Sequence, residues 1–147
     1  MADGRSHDAI TVWSTGLVML VALALTHDNA IALCTSVGNL IGGLYLSPDL
    51  DIPSRPWYRW WIFRFIWIPY QKSIPHRHYL SHSPVIGTIG RLLYMGIPLS
   101  LLLGAIGMLN EAAILAFSHW QIILAAVVGI EISCILHLAA DGILFRR

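Results

Sequence analysis

His and Asp side chains able to ligate a metal ion gather in four segments distant in sequence: His7 with Asp8, Asp49 with Asp51, His76 and His78 with His82, and His137 with Asp141. Imidazole nitrogens mixed with carboxylate oxygens suit Zn, Mn or Fe better than Ca or Mg. Their local spacing is suited to coordination. Asp49 and Asp51, two apart between Pro48 and Pro53, are expected in an extended stretch that turns both carboxylates to one side. His137 and Asp141, four apart, share one face of a helix, the geometry by which bundles present ligands inward. His76 and His82 sit on a segment braced by Pro75 and Pro84, which limits the entropy lost when a loop closes on an ion. Six or seven ligands exceed the four of a tetrahedral site, so one or two divalent ions are expected. A two-ion centre activates water and clamps a phosphoryl or acyl oxygen. Arg77 and Arg91 are the candidates for holding an anionic substrate or neutralising the carboxylates. Taken singly, each residue has an ordinary reading: an interfacial histidine, a turn aspartate, an Asp141-Gly142 helix stop. The case for a metal therefore rests on these four segments meeting at one face. His27 and His119 are internal controls, expected at the other end of the fold and outside the site.

Bringing distant segments together requires elements to carry them, and the composition says what kind. The chain of 147 residues is 56% hydrophobic and 12% charged, far from the usual quarter charged of soluble domains. Four apolar stretches stand out, Ile10 to Leu25, Ala30 to Leu46, Val85 to Leu109 and Ile114 to Leu138. The first two reach only ~25 Å as helices, slightly short of a ~30 Å hydrocarbon core. Short links at 26–29 and 110–113 make two helical hairpins, and Gly38 and Gly42 at GxxxG spacing allow close backbone approach. The expectation is an all-α, integral membrane four-helix bundle forming one domain over residues 1–147. A soluble bundle would need polar faces that these spans lack. A cleaved signal peptide ending at Ala22-Leu23-Ala24 is disfavoured by Asp3 and Asp8.

If the N-terminus, the loop 47–84 and the C-terminus share a side, every Lys and Arg falls there or in the first turns of a span: Arg5, Arg55, Arg59, Arg64, Lys72, Arg77, Arg91, Arg146 and Arg147. The positive-inside rule then makes both termini and the long loop cytoplasmic. Within that loop Trp57 to Ile68, WYRWWIFRFIWI, is too short to cross. It is expected as an amphipathic aromatic helix in the interface, its tryptophans at headgroup depth and Arg59 and Arg64 on lipid phosphates. A lid packed on the bundle predicts the same burial. The net charge of +1 leaves no basic surface for a nucleic acid, so the expected partner is the lipid bilayer. Glu131, inside the fourth span, is a candidate for an ion path or for supporting a ligand. Cys34 and Cys134 belong to opposite faces and are too far apart to pair.

The stretches Ser6-His7-Asp8-Ala9-Ile10-Thr11, Pro48-Asp49-Leu50-Asp51-Ile52, Trp67-Ile68-Pro69-Tyr70, His76-Arg77 and Leu80-Ser81-His82 closely resemble an uncharacterised metal-binding integral membrane family of bacteria, common in cyanobacteria. More distantly the chain is similar to LexA-regulated membrane-bound metal-dependent hydrolases, with one residue more between His76 and His82 than that group carries. The resemblance implies ligand roles for His7, Asp49, Asp51, His76, His82, His137 and Asp141, and none for His78. It implies an inner or, in a cyanobacterium, thylakoid membrane. The function expected is a metal-dependent hydrolase acting on a phosphoester or lipid headgroup. The alternative is a non-catalytic metal protein that ties segments together or docks a partner, and a third reading is an ion transporter using Glu131.

Overall fold

The computed structural model describes residues 3–142. Arg146 and Arg147 lie outside the described residues. Among those residues the chain is helical and without strands, in the order α1 (Gly4–Thr26), α2 (Asn29–Leu44), a 3-10 turn (Pro48–Asp51), α3 (Arg55–Arg59), a second 3-10 segment (Trp61–Trp67), α4 (Ile68–Ser73), α5 (Ile86–Ala105), α6 (Leu109–Ser118) and α7 (Trp120–Ala140). Four of these are long and apolar enough to cross a membrane, and much of their leucine, isoleucine and valine surface faces outward, consistent with a membrane protein.

The first hairpin follows from its caps. The Asp3 carboxylate accepts from Ser6 N at 2.8 Å and starts α1. His27 in the left-handed region, φ 53, ends it. The Asp28 carboxylate then accepts from Ala30 N and Ile31 N at 2.7 and 3.0 Å and starts α2. The second hairpin differs from expectation. α5 stops at Gly107, whose φ of +74 breaks the helix. The expected link 110–113 lies within the short helix α6, where Glu111 in the first turn complements the helix dipole. The last span begins only at Trp120.

α2 is the central helix, packed between α1 and α7. Gly38 and Gly42 on α2 meet α7, and Gly129 on α7 meets α2. A Cβ on Gly129 would collide with the Thr35 carbonyl, and one on Gly42 would stand 2.8 Å from Ile130 Cα. The α1/α2 interface carries a polar seam that the sequence reading missed. Buried Asn39 donates to Ser14 Oγ and Thr15 Oγ1, both at 3.0 Å, and Ser36 Oγ donates to the Thr15 carbonyl at 3.1 Å. Such contacts glue apolar helices where water is absent.

The aromatic segment is helical in three short pieces with two faces. Trp67 is fully buried with Leu50 and Tyr70 and stacks on Tyr94 at 5.5 Å between centroids. Tyr94 donates its hydroxyl to the Ile66 carbonyl. Trp67 is thus a core residue and not a headgroup anchor. Trp61, Phe63 and Phe65 face outward. Arg64 lies 4.8 Å over the Trp57 ring, and Arg59 turns inward to Asp8 at 2.5 Å and the Leu44 carbonyl at 3.1 Å. The carboxylate next to His7 on α1 claims this guanidinium, which was expected on lipid phosphate. Together with Arg55, 3.0 Å from Asp8, it clamps the start of α1 to the aromatic segment.

Candidate metal centre

All seven expected ligands converge at the end of the bundle where α1 begins and α7 ends. The ligand-capable atoms of Asp49, Asp51, His76 and His82 lie within 4.8 Å of one another, and so do those of His7, His137 and Asp141. His7 comes from the first turn of α1, the aspartate pair from the turn after α2, His76 and His82 from the loop before α5, and His137 and Asp141 from the last turn and C-cap of α7.

The aspartates reach the site differently from the sequence expectation. Pro48 at the start and Ser47 as cap, its Oγ accepting from Asp49 N at 3.4 Å, wind residues 48–51 into a 3-10 turn. The 3-10 turn replaces the expected extended stretch, yet both carboxylates still reach one group with His76 and His82, where they meet different neighbours. Asp49 meets histidines from both groups: its Oδ1 is 3.5 Å from His82 Nε2 and 3.4 Å from His137 Nε2. Asp51 meets the loop, its Oδ1 2.9 Å from His76 Nδ1 and its Oδ2 2.8 Å from Ser81 Oγ. On the other side His7 Nε2 is 3.3 Å from Asp141 Oδ1, and the His7 and His137 rings stack with centroids 3.9 Å apart. His137 and Asp141 share their helix face as expected, with Nε2 and Oδ2 3.9 Å apart.

These residues fit a divalent cation. His7 Nδ1, His82 Nε2, His137 Nε2 and Asp141 Oδ1 are buried with no hydrogen-bond partner, which is costly for a polar atom and needs a reason. Two ligands bound at ~2.1 Å to one tetrahedral ion stand about 3.4 Å apart. The contacts of 3.3 to 3.5 Å about Asp49 Oδ1 and Asp141 Oδ1 match that edge and are long for hydrogen bonds to a charged group. Because Asp49 Oδ1 lies at this edge from a histidine of each group, it links the two. Burial pushes the His82 imidazole toward neutrality, but its contacts with Asp49 and Asp51 outweigh that and raise its pKa to about 8.

Several polar residues support the loop. Arg91 is 1% exposed. It donates to the Ser81 carbonyl at 2.8 Å and to Thr88 Oγ1 at 3.2 Å, and so braces the backbone just before His82. Arg77 has an exposed side chain and φ 63, and its backbone N donates to Asp51 Oδ2 at 3.2 Å. Glu131 accepts from Val85 N at 2.9 Å and pins a β-branched residue held at φ 63, which fixes where the loop ends and α5 begins. His78 offers its carbonyl to Ser81 N and His82 N, both at 2.9 Å. Sequence reasoning missed Ser47 and Ser81, both buried. Their only signal was adjacency, Ser47 before the Pro-Asp turn and Ser81 beside His82. His27 and His119 cap the far ends of α1 and α7; His119 is about 27 Å of helix from His137.

The sequence matches, over residues 2–146, the family described as "Uncharacterized metal-binding protein (DUF2227)". A protein of Aquifex aeolicus (strain VF5), described as "Uncharacterized protein", is 40% identical over 60 residues, which are 40% of this chain and 42% of that protein. The chain therefore spans less than half the length of that curated relative. No solved structure matches.

Proposed function

The chain belongs to this uncharacterized metal-binding family, and from that premise we propose that it is a membrane-embedded metal-dependent hydrolase. Its centre, drawn from His7, Asp49, Asp51, His76, His82, His137 and Asp141, holds one or two divalent transition-metal ions, of Zn, Mn or Fe type, at the cytoplasmic face. The observation that carries the reading is the set of unpartnered buried imidazole nitrogens of His82 and His137 on either side of Asp49 Oδ1. A bound ion supplies Lewis acidity, acidifying water and polarising a phosphoryl oxygen. The chain's own residues do the rest. His76 and Asp49, whose side chains are 32% and 20% exposed beside histidines at 1% and 5%, are where solvent and substrate reach the centre. Arg77, exposed one residue from His76, supplies positive charge for a phosphate, while Arg91 fixes the His82 loop from behind. The bilayer makes a lipid headgroup or another phosphoester the reachable substrate. The run of Arg and Lys on the site-bearing segments supports an inner or thylakoid membrane with both termini cytoplasmic.

The near-complete burial of His82, His137 and Asp141, at 1%, 5% and 5%, favours a second reading, a closed structural ion that ties α1, α2, α7 and the loop together. One experiment separates the two. The detergent-purified protein loaded with Zn, Mn or Fe is incubated with bis(p-nitrophenyl) phosphate and with phospholipid vesicles. Turnover that is lost on chelation and in Asp49→Asn supports the hydrolase. Full metal occupancy without turnover on either substrate sinks it and leaves the structural ion.

A further inference from the structure

We infer that Asp51 is not a metal ligand but the carboxylate that orients His82, and with it His76, toward the ion; this rests on the metal centre proposed above. The two aspartates of the Pro-Asp-Leu-Asp turn are chemically identical and two residues apart, yet their surroundings are opposite. Asp51 has a side chain with 0% exposure, and both its oxygens are occupied. Oδ1 accepts from His76 Nδ1 at 2.9 Å. Oδ2 accepts from Ser81 Oγ at 2.8 Å and from the Arg77 backbone N at 3.2 Å, and lies 3.2 Å from His82 Nδ1. A carboxylate offers about four lone-pair sites; three hydrogen bonds engage them, and His82 Nδ1 crowds the remaining one at 3.2 Å. An ion at Asp51 would have to displace donors that are themselves buried. Among the described residues the Asp49 backbone carbonyl accepts from Ser54 Oγ at 2.7 Å, but the Asp49 carboxylate accepts no hydrogen bond. Its contacts with His82 and His137 stand at 3.5 and 3.4 Å, the separation of two ligands sharing an ion and not of a donor and its acceptor.

The arrangement also dictates a tautomer. His82 Nδ1 is 2.9 Å from Ser81 Oγ, whose own proton goes to Asp51, and 3.2 Å from Asp51 directly. Both neighbours accept, so the imidazole proton belongs on Nδ1. The lone pair is then on Nε2, the buried atom without a partner that faces Asp49. A ligating histidine whose other nitrogen donates to a carboxylate is the arrangement that raises ligand basicity and fixes ring orientation. Here Asp51 serves two histidines of the loop at once, and the strained Arg77 backbone, φ 63, directs its N–H into the same carboxylate. Asp51 is therefore a positioning residue, and the first-choice ligands are Asp49, His76, His82 and His137, flanked by His7 and Asp141.

Cobalt(II) reports on this directly, because its visible absorption follows the ligand set. The full-length protein in detergent is titrated with Co²⁺ alongside Asp49→Asn, Asp51→Asn and Ser81→Ala, with helix content checked by circular dichroism. In Asp51→Asn the band position and stoichiometry are expected to stay as in the unaltered protein while Kd rises about 10- to 100-fold. Asp49→Asn shifts or abolishes the band. Ser81→Ala, which removes one link of the relay and no ligand candidate, keeps the band and raises Kd by less than Asp51→Asn. The inference is overturned if Asp51→Asn changes the band while Asp49→Asn preserves it. Should Asp51→Asn fail to fold, Ser81→Ala decides, and unchanged affinity there counts against the relay. If the unaltered protein gives no Co²⁺ band, the metal centre itself fails, a different result from either.

Discussion

Proton competition at His82 gives metal binding a quantitative pH signature. Burial disfavours the imidazolium, but Asp49 and Asp51 raise its pKa from 6.5 to about 8. An ion takes the lone pair of neutral Nε2, so a protonated His82 must first release its proton. With a pKa near 8, His82 in the metal-free protein is about nine-tenths protonated at pH 7. Metal affinity there lies about tenfold below its alkaline plateau, and about a hundredfold below it at pH 6, from this residue alone. Metal-free stability runs the other way. A folded pKa above the unfolded value stabilises the fold fully below pH 6.5, and the contribution, about 2 kcal/mol, is lost as pH rises through 8. Between pH 6 and 9 the thermal midpoint of the metal-free protein should therefore fall while its gap to the loaded protein widens. The assay is a chelator-competition titration with Zn²⁺ at pH 6, 7, 8 and 9, paired with thermal melts of both forms in the same detergent. Affinity that stays flat from pH 6 to 8, or a metal-free midpoint that rises over that range, would refute the reasoning.

Other perturbations test the scaffold. Gly129→Ala inserts a methyl against the Thr35 carbonyl and should cost about 1–3 kcal/mol. Because Asp49 follows α2 and His137 rides α7, it should also lower metal occupancy, read by melts and metal analysis; wild-type values in both would contradict the close α2/α7 packing. Trp67→Ala empties the fully buried centre of the aromatic cluster and should cost about 3–5 kcal/mol, with limited proteolysis cutting the 55–73 segment sooner. Arg59→Ala removes the 2.5 Å contact to Asp8, a pair partly exposed on both sides, and should cost about 1 kcal/mol, a small drop in melting midpoint with metal retained. His27→Ala and His119→Ala, at the far ends of α1 and α7, should bind metal like the unaltered protein by the same titration.

Much of this arrangement could be read from residue order. Hydropathy marks four long helices because an apolar run is a local property, and the seven ligand candidates fall at the ends of those runs, so a bundle that closes must gather them. What stayed hidden depends on who faces whom. Trp61 and Trp67 are alike in sequence, yet one is exposed and the other fully buried; which turn faces Leu50 and Tyr94 is a tertiary fact. Asp49 and Asp51 were expected on an extended stretch because prolines suggest extension, whereas Pro48 with the Ser47 cap favours a 3-10 turn that still brings both carboxylates to one group. The Asn39 seam escaped because serine and threonine scattered through an apolar helix leave hydropathy nearly unchanged. Arg91, considered for substrate, is instead consumed by the Ser81 carbonyl and Thr88, contacts that only the loop's return path creates. The shift from a single link at 110–113 to α6 turns on the backbone of Gly107.

The central claim is that histidines and aspartates from four separate segments share a cation. Metal analysis by mass spectrometry of the detergent-purified protein tests it most directly, alongside His82→Ala, His137→Ala and Asp49→Asn, with His119→Ala for comparison. The account predicts one or two equivalents of a divalent transition metal in the unaltered protein and in His119→Ala, and strong depletion in the other three. Equal metal content in all five proteins, or none in any, would contradict it.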